Sequence, residues 1–199
     1  MAARELQYPG TDNATASRTH SLLVPTTTST SETEKRDINA NNNGIGLLST
    51  YYTQIVSNGN AFQQLSAQSA TRGNEPAYKE ELRSRVHDFH LDLLGVRAVL
   101  EQLGADKGLA NYDRSDELET ILKKIVNASK DLMGNIDANV YELPVIGSTL
   151  GPIVYDIKCI LDDVLDATEN ISDGLLNAMK PVLQPVIDLA TDILGRTPK

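Results

Sequence analysis

His87 and His90 stand three residues apart in a stretch of helical periodicity, a spacing that presents two imidazoles to one metal ion. No third ligand falls in register. The chain also lacks the Glu-x-x-His pairs that build di-iron bundles and the His-Glu-x-x-His of zinc proteases. The two rings are therefore expected to be solvated or ion-paired, with no metal and no cofactor. The sole cysteine, Cys159, shares a side of its predicted helix with Tyr155, Asp162, Asp163 and Asp166. Neighbouring carboxylates disfavour a thiolate, and no histidine lies in this half of the chain to activate one, which argues against nucleophilic catalysis. Two readings of Cys159 stay open: a small residue under the edge of a neighbouring helix, or an intermolecular disulfide in a secreted protein.

Other motifs carry less. Gly44-Ile45-Gly46 imitates the start of a phosphate-binding turn, but no strand precedes it and the third glycine is missing. Asp156, Asp162, Asp163 and Asp166 form an ordinary polar face and lack the alternating ligands of a calcium loop. Three sequons, at Asn13, Asn127 and Asn170, are glycan acceptors if the protein is secreted, and Lys35-Arg36 before Asp37 is a dibasic pair open to processing. None of these residues composes a catalytic site, and the expectation is a protein that is not an enzyme.

Composition narrows the partners. The chain has 199 residues with 40% hydrophobic and 23% charged residues, enough for one domain with a substantial core. Aromatics make up only 5% and Trp is absent, so Leu, Ile and Val must build that core. A formal net charge of −9 opposes any phosphate backbone, because nucleic-acid binding depends on Lys and Arg displacing counterions. No stretch of ~20 apolar residues is present to cross a bilayer. With no apolar run behind the early arginine, no signal peptide is visible, and taken literally the chain is cytoplasmic.

Residues 1–43 are polar and patternless and are expected to be a disordered tail; residues 44–199 are expected to form the folded domain. From Gly46, Leu48, Tyr51, Tyr52, Ile55, Phe62 and Leu65 follow helical spacing, with Asn58-Gly59-Asn60 a candidate break. Pro76 opens a second helix, from about Glu75 to Leu103. Its seam of Tyr78, Leu82, Val86, Phe89, Leu93, Val96, Leu100 and Leu103 needs a partner, while Arg83, His87, His90, Asp92 and Arg97 fall on the other side. A third helix begins at Ser115 or Asp116, with the stripe Leu118, Ile121, Leu122, Ile125, Leu132, Ile136 and Val140.

The most apolar stretch is Leu143 to Leu194. Gly147 to Pro152 reads as a loop and a start signal, after which Leu150, Ile153, Val154, Ile157, Ile160, Leu161, Val164 and Leu165 occupy an arc of roughly 140° on a fourth helix. Gly174 marks a break. Val182, Val186 and Ile193 continue the apolar pattern, with a kink or restart expected near Lys180 because Pro181 and Pro185 each lack a donor. The expected fold is all-α: an antiparallel bundle of four to five amphipathic helices behind a disordered N-terminal tail.

The polar N-terminal part, followed by the runs Leu143-Pro144-Val145-Ile146-Gly147 and Gly151-Pro152-Ile153-Val154-Tyr155-Asp156-Ile157-Lys158-Cys159, resembles small secreted structural proteins of the hyphal wall and matrix of filamentous basidiomycete fungi. That resemblance implies an extracellular or wall location and a non-enzymatic role at surfaces. The apolar helices then meet a hydrophobic surface, wall matrix or lipid, with self-association as a further option. Two alternatives share the pattern: an intracellular interaction module using the Tyr78 to Leu103 seam, and a bundle that opens around a lipid.

Overall fold

The computed structural model describes the backbone of residues 29–105, 115–142 and 144–196, and the side chains of residues 44–105, 116–141 and 146–196. Among the described residues there are six helices and no strands: α1 (Ser29–Ser66), α2 (Ser69–Arg72), α3 (Pro76–Ala105), α4 (Ser115–Glu142), α5 (Pro144–Ile171) and α6 (Asp173–Arg196). The helical bundle expected from the apolar periodicity is present, with five long helices and one single turn. Several boundaries have a chemical cause. Pro76 and Pro144 occupy first helical positions, where a missing N–H costs nothing. Asp116 and Glu117 sit at the positive end of α4. Between α5 and α6 only Ser172 is non-helical, and its Oγ accepts from the Leu175 N–H at 3.1 Å, capping α6.

Several expected interruptions do not break the chain. α1 runs straight through Asn58-Gly59-Asn60, and its bounds reach back to Ser29, into the segment expected as tail; residues 1–28 lie outside the described residues. α5 begins at Pro144 and includes Gly147 and Gly151, so the loop expected there is helix. α6 continues through Pro181 and Pro185 without a restart. Both prolines are exposed, so the carbonyls they leave without intrahelical donors face water. The opposite face of α6, through Met179, Leu183, Val186, Ile187, Ala190 and Ile193, is buried and holds the helix on the bundle. Tertiary packing here outweighs propensity.

The long helices close a ring in the spatial order α1, α3, α5, α6, α4 and back to α1, while α4 and α5 touch only lightly across it. Consecutive helices alternate in direction. At one end, Tyr78 Oη donates to the Leu65 carbonyl at 3.1 Å, and at the other Gly44 lies against Leu103, so α1 and α3 are antiparallel. Spatial neighbours are also parallel. Ser66 meets Asn139 while Gly59 meets Leu132, aligning α1 with α4; Arg97 meets Asp163 while Gly104 meets Ile171, aligning α3 with α5. The bundle therefore has two layers, α1, α4 and α6 pointing one way and α3 and α5 the other, with the core between them.

That core is aliphatic. The whole expected α3 seam is buried, from Tyr78 to Leu103, as is the α4 stripe, to which Val126 and Met133 are added. Phe62, Tyr78 and Phe89 are the large fully buried side chains, surrounded by leucine and isoleucine. Exposed charges lie outside, paired along helices as in Arg97 with Glu101 (2.7 Å) and Lys158 with Asp162 (2.7 Å).

Candidate functional site

The aliphatic face singled out in the sequence lies inside the bundle. Leu150, Val154, Ile157, Ile160, Leu161 and Val164 of α5 are buried, as are Val186 and Ile193 of α6; Ile153, Leu165 and Val182 are half-buried at its margin. Because α5 turns this arc towards α3 and α6 together, it serves both contacts at once. The α3 seam is likewise used within the chain, against α1 and α5, and is not a free stripe. Surface clefts run between helix pairs. One of about 370 Å³ separates α1 from α4, between Gln63 and Asn135, and one of about 450 Å³ separates α3 from α5, between Arg97 and Asp166. Amides and carboxylates line both alongside carbon, and neither continues the aliphatic face.

Among the described residues no group of three His, Cys, Asp or Glu side chains is placed to hold a metal ion. His87 and His90 lie with ring centroids 5.9 Å apart. His87 is exposed, but His90 is half-buried on the flank facing α5, and its Nδ1 is enclosed without a hydrogen-bond partner. The expectation of a solvated or ion-paired pair is corrected for His90: burial pushes its pKa below the usual imidazole value, and the field of Asp156 from α5 only partly opposes that shift.

Cys159 is a free, exposed thiol beside the exposed Tyr155. The reading of a residue under a neighbouring helix is therefore corrected. Cys159 sits beyond the flank on which Asp163 meets Arg97 of α3 at 2.8 Å, so no helix covers it.

The sequons differ in setting. Asn170 is exposed in the last turn of α5, with exposed Ser172 at the break that follows. Asn127 is exposed in the middle of α4, but the hydroxyl of its partner Ser129 is buried and donates to the Ile125 carbonyl at 2.8 Å. Asn13 lies outside the described residues, and Lys35 and Arg36 precede the first described side chain.

The sequence pattern puts Asp92 on the outer side of its helix, but the residue is 9% exposed and turned towards α1. Asn58 Nδ2 donates to its Oδ2 at 2.8 Å. The signal for this burial was present: Gly95 and Val99, three and seven residues on, share its flank, and that flank packs on α1. Arg97, also placed outside, bridges to α5 through Asp163 as well as to Glu101 on its own helix. Asn139 is a further buried polar group; its Nδ2 donates to Ser66 Oγ at 2.5 Å and to the Asn135 carbonyl at 2.8 Å, leaving its Oδ1 unpartnered.

Comparison with family models, curated proteins and solved structures finds no match to this chain. No helix among the described residues is long and apolar enough to cross a membrane.

Proposed function

We propose that the protein is a non-enzymatic structural protein of the secreted, wall- or surface-associated kind, acting through α5 and α6. The observation that carries this reading is the construction of that helix pair. Its inner face, from Leu150 to Ile193, is aliphatic apart from Met179 and the small polar Thr168, and one non-helical residue, Ser172, joins its two arms. Swinging the pair away from α3 and α4 exposes one continuous apolar surface of the kind that adsorbs to an oil–water or air–water boundary. The acidic outer faces favour a neutral hydrophobic surface over anionic lipid.

Adsorption of the purified chain to hydrophobic beads tests this role against the double variant Ile153→Asp, Val186→Asp. Wild type is expected to deplete from solution and the variant to remain in it. Wild-type protein that stays in solution at every bead concentration overturns surface activity, and native protein found in cytosol, unglycosylated and beginning at Met1, overturns secretion. Lipid co-purifying in fixed stoichiometry shifts the reading to a carrier.

A further inference from the structure

Residues 44 to 66 of α1 contain no charged side chain, yet this segment covers most of a carboxylate on α3. Asp92 is 9% exposed, and the neutral Asn58 amide donates to its carboxylate at 2.8 Å. The titratable groups on that part of α1 are Tyr51 and Tyr52; neither is a cation. On α3, Asp88 stands one turn earlier and adds like charge, while the nearby cation Arg85 lies 3.8 Å from the Asp88 carboxylate. His90, two residues before Asp92, is on the flank facing α5. A cleft of about 310 Å³, lined by Gln54, Ser57, Asn58, Asp88, Leu91 and Asp92, opens at this point of the seam and gives water a route to the carboxyl group.

We propose that Asp92 is an acid-engaged latch between α1 and α3: with the carboxyl group protonated α1 seats fully on α3, and ionisation loosens this one interface. A buried carboxylate without a cation is costly, whereas a neutral carboxyl is not. Burial, aided by Asp88 and opposed by the Asn58 amide, raises the Asp92 pKa to about 6. The fold thus binds the proton more tightly than the unfolded chain does. The resulting stabilisation is complete below the ordinary aspartate value near 4 and is lost as pH rises through about 6. The latch is independent of what the apolar helices contact, and a chain exported into an acidified medium would meet it engaged.

The test compares wild type with Asp92→Asn, the permanently neutral shape, in thermal melts at pH 7.5 and pH 4.5. The variant is expected to melt roughly 3–6 °C higher than wild type at the upper pH, with the gap at least halved at the lower. An equal gap at both pH values, or a variant that melts lower at pH 7.5, overturns the latch. Carbon-detected titration of the wild-type carboxyl groups stands whether or not the variant folds well: a midpoint near 6 for Asp92 supports the proposal, and one near 4 overturns it. Hydrogen exchange, corrected for intrinsic rates, is expected to quicken in residues 51–62 of α1 at pH 7.5 relative to pH 4.5. Equal quickening in α6 overturns the assignment to this interface.

Discussion

The ring of Tyr51 lies against the backbone of Gly95, so that a β-carbon at Gly95 would fall onto Cζ and Cε1 of the phenol and within 2.5 Å of its oxygen. Only a residue without a side chain fits beneath the ring. Gly95→Ala is expected to cost about 1–3 kcal/mol, because Tyr51 must leave its position for the helices to stay packed. Adding Tyr51→Ala removes the clash, so the double variant should be more stable than the sum of the two single losses predicts; chemical denaturation of all four proteins measures the coupling.

A second prediction separates core from margin in the α5 arc. Leu150 is fully buried and Ile153, on the same helix, only partly so. Leu150→Ala should cost about 2–5 kcal/mol through lost burial and the cavity left behind, and Ile153→Ala less than half as much. Urea unfolding with an unchanged slope is the measurement, since an altered slope would signal a change in the unfolded or native ensemble.

His90 gives the bundle a pH response of opposite sign to that of Asp92. Its pKa is held below the usual value, so the stability it supplies is present above about pH 6.5 and is lost as pH falls through the depressed folded value. His90→Gln is therefore expected to flatten the decline between pH 7 and pH 5. Because Asp92 protonates over part of the same interval, the informative quantity is the difference between variant and wild type at each pH.

Arg97 makes two well-formed ion pairs, one of them across to α5, yet its side chain is 34% exposed and Asp163 is 47% exposed. Arg97→Ala is expected to cost only about 0.5–1 kcal/mol, falling towards zero in high salt. A loss several times larger in denaturant melts would mean that the guanidinium stem packs more deeply than its exposure indicates.

The helices were legible because their apolar positions recur strictly: the α3 seam and the α4 stripe both lie buried at the residues their spacing selects. Their limits were less so. Gly147, Gly151, Pro181 and Pro185 are local signals against helix, and packing overrides them: the two glycines are themselves buried, and the two exposed prolines lie opposite a buried face. The burial of Asp92 and the open flank around Cys159 escape the pattern for a related reason. A wheel ranks residues by distance from one apolar centre, whereas each helix here has two neighbours; a polar residue on a covered flank and one on an open flank look alike until those neighbours are placed. Half-buried His90 belongs to the first kind and exposed Cys159 to the second.

The mixture of parallel and antiparallel neighbours also orders assembly. α1 with α3, across the single turn of α2, and α5 with α6, across Ser172, are hairpins whose contacts lie close in sequence and close with little loop entropy. α4 has no hairpin of its own, since its main neighbours are α1 and α6, each parallel to it and far along the chain. Contact order therefore predicts that the two clasps form first and join last, α3 against α5 and both around α4, where Asn139 meets Ser66 on one clasp and Asp137 meets Arg196 on the other.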